Sequence, residues 1–377
     1  MNKQMTGIIF SEMYSGALNS FTQDRNMGAI PFGGRYRLVD FALSNMVNAG
    51  ILDVGVLVKQ HYHSLMDHLS NTQEWDLNRK IGGLQLLPPF ATDVTGGSGG
   101  SRGKLDELRN ALNYLETISS SPYVILVDAY VLCNLDYQAA LEDHIASGCD
   151  ITMFATKESK PSEINSASVM RADSTHKVTS YALDCPAKPG EYASMGHMII
   201  SRDLLVNVIR DYTSRGIYDF LRDFVQHEFN RGRLTINLYE VDTTVLRIRD
   251  VNEYFQSSLA ILEDDVSGAL FRGDRPIHTR VTDEVPAYYG LDCQVEHSVI
   301  ADGCFIDGSV ENSVLSRGVK VAKGAKIKNC VIMEGSVVSE GASLENVVVD
   351  KWVTITGGAQ LKGLTSNPVV IRKGVTV

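Results

Sequence analysis

Three histidines near one another in the chain have the spacing of metal ligands: His61, His63 and His68. A zinc site would also need acidic or cysteine partners at ligand spacing, and none accompanies them. The six cysteines are scattered singly and form no C-x-x-C pair, which indicates neither a zinc site nor a redox motif. We therefore predict structural or surface roles for the histidines, and no bound metal.

A single carboxylate ends an apolar segment. Residues 123–128 read YVILVD, which predicts a buried strand that finishes at Asp128. In an open α/β sheet, ligands bind beyond the carboxyl ends of the strands, where the connecting loops gather. Asp128 is therefore placed where a functional carboxylate would lie.

The elements that would position this carboxylate alternate along the first two-thirds of the chain. Apolar runs at 6–10, 51–58 and 150–156 predict further strands. The helical spacing of apolar residues in 36–50 and 103–118 predicts helices between them. Strands that alternate with helices indicate a Rossmann-like α/β domain, with a mostly parallel sheet covered on both faces.

The sequence changes character at about residue 291. Short β-branched runs are separated by glycines, and Val319, Ala325, Val331 and Val337 recur at steps of six. This period is typical of a left-handed hexapeptide β-helix, and a β-sandwich of short strands is the alternative. Because such coils stack well, they serve as oligomerisation elements. We expect an α/β domain at 1–255, a linker at 256–290 and a β-helix at 291–377.

Composition narrows the functional classes. The chain has 377 residues, a formal net charge of −10, 44% hydrophobic residues and 21% charged residues. This length favours two domains, and the acidic balance argues against nucleic-acid binding. No apolar stretch reaches the roughly 18 residues of a membrane span, and the N-terminus has no signal-peptide pattern. Unpaired cysteines fit a reducing compartment, so we expect a cytoplasmic protein.

One segment carries a specific resemblance. Residues 30–51, IPFGGRYRLVDFALSNMVNAGI, resemble the corresponding segment of bacterial ADP-glucose pyrophosphorylases, which are glucose-1-phosphate adenylyltransferases. Further matches follow in the family's order at QLLPP (85–89), NLDY (134–137), ASMG (193–196) and YDF (218–220). The resemblance implies a nucleotidyltransferase that joins ATP and glucose 1-phosphate for glycogen synthesis. That reaction needs a phosphate-binding loop, cations on the leaving pyrophosphate, and carboxylates that hold Mg²⁺.

The family's phosphate loop falls on residues 12–18, which depart from it. Its glycines become Glu12, Met13 and Ser15, and its arginine becomes Ala17. Glycines let backbone amides approach phosphate closely, and a glutamate there adds negative charge beside a polyanion. The family's lysine that neutralises the leaving group is Met27 here, and methionine supplies no charge.

The carboxylates that would hold the metal are also replaced. One family aspartate falls on Tyr130 and the other on Arg247, whose charge would repel Mg²⁺. Asp128, two residues before Tyr130, shares its face of the strand and is the candidate that could rescue metal binding. The family's sugar-phosphate motif is reduced to LDCPAKP at 183–189, where Lys188 keeps the cation and the glutamate is absent.

These departures resemble the GlgD-type, non-catalytic subunit of bacterial ADP-glucose pyrophosphorylases. The resemblance implies a mixed tetramer with a catalytic subunit, which would hold the Mg²⁺, while this chain needs no cofactor and could form a homo-oligomer in isolation. It also implies that Arg25, Arg35 and Arg37 bind an anionic sugar-phosphate effector, and salt bridges with the acidic surface are the alternative role for them.

Two other functions stay open. The chain could be an active adenylyltransferase that uses Asp128 and displaced metal ligands, or a hexapeptide acyltransferase with His297 as its catalytic histidine. The glycine-rich segment 96–101, GGSGGS, could be a lid over the cleft or a surface loop.

Overall fold

A computed structural model describes residues 4–12, 16–70, 72–80, 82–89, 103–158 and 166–377. Met13, Ser15 and the glycine-rich segment 96–101 lie outside these residues. No helix in the described part of the chain is long and apolar enough to cross a bilayer.

The N-terminal domain is built on a nine-stranded sheet. In chain order the strands β1 to β13 of this domain, including four short ones outside the large sheet, are Met5–Phe10, Pro31–Phe32, Tyr36–Arg37, Asp53–Leu57, Gly83–Leu87, Tyr123–Asp128, Val131–Leu132, Ile151–Lys157, Ser166–Ala172, Val178–Cys185, Tyr192–Ser201, Ile236–Glu240 and Leu246–Arg247. The sheet has the order β10-β9-β11-β6-β1-β4-β5; β8 pairs with β11, and β12 pairs with β8.

This arrangement confirms the predicted α/β nucleotidyltransferase fold. Strands β6, β1, β4 and β5 run parallel, so their carboxyl ends share one edge of the sheet. The sheet is nevertheless mixed, because β11 is antiparallel to both β6 and β8. The parallel half is the part that positions Asp128, at the end of β6 and opposite Phe10 at the end of β1.

Helices cover both faces of the sheet. Neighbouring residues of β1 point to different cores, since Ile8 packs in one buried apolar cluster and Ile9 in the other. The helices α1 to α9 are Asn19–Thr22, Leu38–Asn48, His63–Leu69, Lys104–Leu108, Tyr137–Ser147, Arg202–Ser214, His227–Asn230, Val251–Ala260 and Asp264–Leu270. The predicted helix at 103–118 is irregular: α4 is followed by a 3₁₀ turn and a π turn.

The C-terminal domain is the predicted hexapeptide β-helix. Its strands stack into three parallel sheets, one for each face of the coil. The strands β14 to β28 are Tyr288–Tyr289, Gln294–Glu296, Val299–Ile300, Phe305–Ile306, Ser309–Glu311, Val314–Leu315, Lys320–Val321, Lys326–Lys328, Val331–Ile332, Val337–Val338, Ser343–Glu345, Val347–Val349, Thr354–Ile355, Gln360–Lys362 and Val369–Ile371.

The coil's repeat is shorter than three hexapeptides. Most strand pairs step by 17 residues rather than 18, as in Lys320 with Val337, whereas Phe305 pairs with Lys320 after 15. The predicted steps of six therefore slip by one position at one corner of the coil. Val319 and Ala325 point into the β-helix core, whereas Val331 packs against the N-terminal domain instead.

A ladder of polar side chains explains the short corner. His297, Asn312, Asn329 and Asn346 all have a positive φ, between 43° and 54°, a conformation that asparagine tolerates better than most residues. Each of the first three is hydrogen-bonded to the next, at 2.9, 2.7 and 3.3 Å, and Asn346 donates to the carbonyl oxygen of Gly363. His297, the candidate acyltransferase histidine, is the first rung of this ladder.

A buried ion pair joins the two domains. The guanidinium of Arg25 donates to both carboxylate oxygens of Asp350, at 2.8 and 2.9 Å, and both side chains are almost fully buried. Around it, Val314, Val331 and Val348 of the β-helix pack into the core of the N-terminal domain. The linker predicted at 256–290 contains α9 and the end of α8.

Candidate functional site

The carboxylate of Asp128 forms an ion pair with a lysine of the same chain. The Nζ of Lys104, the first residue of α4, donates to both carboxylate oxygens of Asp128 at 2.8 Å. The side chains of Lys104 and Asp128 are 9% and 1% exposed. Burial raises the pKa of Asp128, and the ammonium group of Lys104 opposes that rise. A metal ion could bind this carboxylate only by displacing the ammonium group of Lys104. The displaced ammonium would then remain near the metal ion as a second positive charge.

Tyr130 completes the surroundings of Asp128. Its hydroxyl is hydrogen-bonded to the Asp128 carboxylate, so the residue at the predicted metal position contacts the rescue carboxylate directly. Gly196 approaches both side chains with a φ of +85°. A Cβ at Gly196 would lie 2.2 Å from Asp128 Oδ2, so the close packing of this carboxylate requires glycine there.

Arg247 adds a second positive charge to the same region. It lies opposite Val131 in the short β7–β13 ladder, and its guanidinium donates to Thr156 Oγ1 at 2.9 Å. Burial lowers the pKa of Arg247, although guanidinium stays charged at neutral pH. The pKa of His197, also buried here, falls to about 3 because of burial and the charges of Lys104 and Arg247. His197 is therefore neutral.

Glu12 lies where the phosphate loop was expected to begin. Its carboxylate accepts hydrogen bonds from the backbone N–H of Gln60 at 3.2 Å and from Asn26 Nδ2 at 3.4 Å. Burial raises the pKa of Glu12, and the Gln60 N–H and Lys59 partly oppose this shift. Lys59 is also held by the buried carboxylate of Glu107, at 2.8 Å. The cationic and anionic groups of this region thus satisfy one another.

Three further candidate positions have ordinary structural surroundings. Met27 is 1% exposed and belongs to the core of the N-terminal domain. Ala17 is exposed. Lys188 lies on the exposed turn between β10 and β11, where its backbone N–H donates to Glu191.

The described side chains around Asp128 do not suit the magnesium ion that the family resemblance implies. Among the described residues, no three His, Cys, Asp or Glu side chains are grouped so as to hold a metal. His61 and His63 are exposed, and His68 Nε2 lies 2.6 Å from Asp40 Oδ1, an acidic partner that the sequence spacing did not reveal. The side chains near Asp128 are also unfavourable for binding a metal ion, because two of them, Lys104 and Arg247, are positively charged.

A basic pocket lies between the two domains. Its cavity has a volume of about 220 Å³, and in its lining the cations Arg35, Arg37, Arg280, Arg317 and Lys351 outnumber the one carboxylate, Glu334. Glu334 pairs with Lys351 at 2.6 Å. This excess of positive charge suits an anion.

The three arginines that were predicted to bind an effector differ in their surroundings. Arg37 is held by the backbone oxygen and hydroxyl of Ser64, at 2.8 and 3.0 Å, while Arg35 forms an exposed ion pair with Asp302 at the rim. Arg25 does not line the pocket, since Asp350 occupies its guanidinium.

Sequence reasoning missed Lys104 and Gly196. Lys104 was part of a predicted helix, but nothing in the helical pattern shows that its first residue faces Asp128. Gly196 belongs to the ASMG segment that matches the family. The match draws attention to this segment, but the sequence does not show that Gly196 packs against Asp128.

Comparisons with known proteins agree with this fold. Residues 16–244 match the family model described as nucleotidyl transferase, and residues 285–365 match the GlmU-like C-terminal hexapeptide. The chain is 40% identical to the glycogen biosynthesis protein GlgD of Geobacillus stearothermophilus over 99% of its length and 97% of that protein. It is 35% identical to GlgD of Bacillus subtilis with the same coverage. With the glucose-1-phosphate adenylyltransferase of Geobacillus stearothermophilus it shares 29% identity over 87% of its length and 84% of that protein.

Proposed function

The chain belongs to the nucleotidyl transferase family of glucose-1-phosphate adenylyltransferases, in its GlgD branch, and from this we propose that it is a regulatory subunit with little or no catalysis of its own. In this proposal it joins a catalytic glucose-1-phosphate adenylyltransferase in a mixed tetramer for glycogen synthesis. The catalytic partner holds the Mg²⁺ and makes the ADP-glucose.

The Lys104–Asp128 ion pair is the observation that carries the proposal. Nucleotidyl transfer depends on a metal ion that neutralises the phosphates and on carboxylates that hold it. Here the Asp128 carboxylate is neutralised by a buried lysine. Arg247, which the family resemblance aligns with the second metal-binding aspartate, donates to Thr156 instead. Glu12 brings negative charge to the place where triphosphate would bind. These three features act on different requirements of the reaction, and all of them oppose it.

The basic pocket supports a regulatory role. A sugar phosphate would place its dianion among Arg37, Arg317 and Lys351. Because the pocket is lined by both domains, a ligand there would favour one arrangement of the domains over others. We propose that effector binding between the two domains of this subunit alters the activity of its catalytic partner.

An assay of the chain alone and in mixtures tests the proposed function. We expect almost no pyrophosphate release from ATP and glucose 1-phosphate by this chain alone, and a changed turnover or effector response when it is mixed with a catalytic homologue. The variant Asp128→Asn, once circular dichroism shows that it is folded, should change the partner's activity as the wild type does, because the proposed role makes no catalytic use of this carboxylate. No change on mixing would refute the regulatory role. Release by the chain alone that Asp128→Asn abolishes would support the active-enzyme alternative.

Calorimetric titration of the chain with hexose mono- and bisphosphates tests the basic pocket. We expect Arg317→Gln to weaken binding at least tenfold, because it removes a cation from the pocket. Arg210→Gln is the matched control, since Arg210 is an exposed arginine that pairs with Glu116 far from the pocket lining. Equal binding by both variants would exclude this pocket as the effector site.

A further inference from the structure

One acidic side chain lies among the cations of the basic pocket. Glu334, in the turn between β22 and β23, forms an ion pair with the Nζ of Lys351 at 2.6 Å. The side chain of Lys351 is 13% exposed, whereas that of Glu334 is 41% exposed. Glu334 is therefore the more accessible member of the pair, and its carboxylate can move into solvent while Lys351 stays in the wall of the pocket.

Two further cations of the pocket act on Glu334. Burial alone would raise the pKa of Glu334, but the charges of Lys351, Arg37 and Arg317 lower it overall. The carboxylate is therefore ionised at neutral pH, and it occupies the positive field that these cations would otherwise offer to a bound anion. Burial and the charge of Arg37 lower the pKa of Lys351, and Glu334 opposes that shift.

Arg317 has a donor that the protein itself leaves unused. Its Nη1 donates to Thr282 Oγ1 at 3.1 Å, whereas its buried Nε–H has no acceptor among the described residues. A buried donor without an acceptor is costly, and an anion bound beside Arg317 would supply one. The charge of Glu334 thus reaches Arg317, but no hydrogen bond from Glu334 satisfies this donor. An exchange of Glu334 for a ligand would therefore improve the hydrogen bonding of the pocket.

We propose that Glu334 is a built-in competitor of the anionic effector, an inference that rests on the proposed effector role of the basic pocket. A phosphate group that binds Lys351 must displace the Glu334 carboxylate from the ammonium group. A ligand with a single negative charge only replaces one carboxylate charge by another. A phosphate monoester carries about 1.5 to 2 negative charges at neutral pH, so it gains from the exchange. Glu334 thereby raises the effector concentration that is needed and sets a threshold that monoanions do not reach.

Calorimetric titration of the full chain with glucose 6-phosphate tests this role. Glu334→Gln should tighten binding at least tenfold, because glutamine keeps the shape of the side chain without its charge. The same variant should bind glucose 6-sulfate, a monoanion of similar shape, measurably more tightly than the wild type does. The matched control is Glu311→Gln. Glu311 also pairs with the lysine 17 residues ahead of it, Lys328, and neither residue lines the pocket.

The sign of the change separates competition from support. If Glu334 instead held Lys351 in a position that the ligand needs, Glu334→Gln would weaken binding. An unchanged or weakened affinity would therefore overturn the proposal, while the pocket remained the effector site. Binding of glucose 6-phosphate by neither form would overturn both. These titrations use this chain alone, so their outcome is separate from that of the assay in mixtures with a catalytic homologue.

Thermal unfolding gives a second readout. Without ligand and at low salt, Glu334→Gln should unfold at a lower temperature than the wild type, because the cations of the pocket lose a counter-charge. Saturating glucose 6-phosphate should then raise the midpoint of the variant by more than that of the wild type, since the tighter complex is stabilised more at the same ligand concentration. Equal shifts in the two proteins would contradict the proposed competition.

Discussion

At the scale of single residues, the charged side chains in the cleft of the N-terminal domain are balanced by neighbouring groups of the same chain. Lys104 neutralises Asp128, Glu107 holds Lys59, and the carboxylate of Glu12 accepts a backbone hydrogen bond. Each of these charged groups is therefore paired with another group of the protein.

Lys104→Met tests the role of the buried lysine. The free energy of unfolding should fall by roughly 3–5 kcal/mol, because the variant leaves the buried carboxylate of Asp128 without a counter-ion. Adding Asp128→Asn should recover part of this loss, since it removes the unpaired charge. Urea denaturation measures both effects. If Lys104→Met unfolded like the wild type, the ammonium group would not be the counter-ion of Asp128.

Glu12→Gln tests the buried glutamate through the pH dependence of stability. Because burial raises the folded-state pKa of Glu12, its ionisation destabilises the native state as pH rises above the unfolded-state pKa of about 4.5. The variant should therefore be more stable than the wild type at neutral pH, and the difference should vanish below about pH 4. Thermal unfolding at a series of pH values measures this. A constant difference across the series would contradict it.

At the scale of elements, the strands were easier to predict than the contacts between them. Residues 123–128 form β6 as predicted because a continuous apolar run suits a strand buried on both faces. The hexapeptide period correctly predicted the β-helix, but it did not predict the 17-residue step. That step depends on a corner residue with a left-handed backbone conformation, which the hydrophobic pattern does not reveal. The partners of Asp128 and Arg25 lie 24 and 325 residues away, and local patterns carry no information on such pairs.

The asparagine ladder gives a prediction at this scale. Asn329→Ala should lower the free energy of unfolding by about 2 kcal/mol, partly from the left-handed backbone and partly from lost hydrogen bonds. Asn329→Gly removes the same hydrogen bonds but adopts the positive φ easily, so it should be less destabilising by about 1 kcal/mol. Chemical denaturation of the two variants separates the contributions. Equal losses would show that the backbone conformation is unimportant at this corner.

At the scale of the whole molecule, the buried Arg25–Asp350 ion pair connects the domains. Arg25 follows residues 12–18, where the family resemblance predicts a phosphate loop, and Asp350 immediately precedes Lys351 of the basic pocket. The pair therefore lies between the region that would bind nucleotide and the region that we expect to bind an effector. Its position explains why Arg25 belongs to the domain interface rather than to the pocket lining.

Arg25→Met should lower the free energy of unfolding by roughly 3–5 kcal/mol, because Asp350 stays buried without its partner. It should also weaken the coupling of the two domains, so that calorimetry shows a broader or divided transition. Arg35→Met is the control, since it breaks an exposed pair that contributes at most about 1 kcal/mol. Similar losses in the two variants would mean that the Arg25–Asp350 pair does not hold the domains together.

The paired charges of the cleft also bear on how this lineage can change. Restoring a carboxylate at position 247 alone would leave Lys104 bound to Asp128, with no free ligand for a metal. Removing Lys104 first would leave a buried, unpaired carboxylate and a less stable protein. A change toward metal-dependent catalysis would therefore have to pass through such unstable forms or acquire several substitutions together. In the role that we propose for this chain, the ion pair thus acts as a barrier to that change.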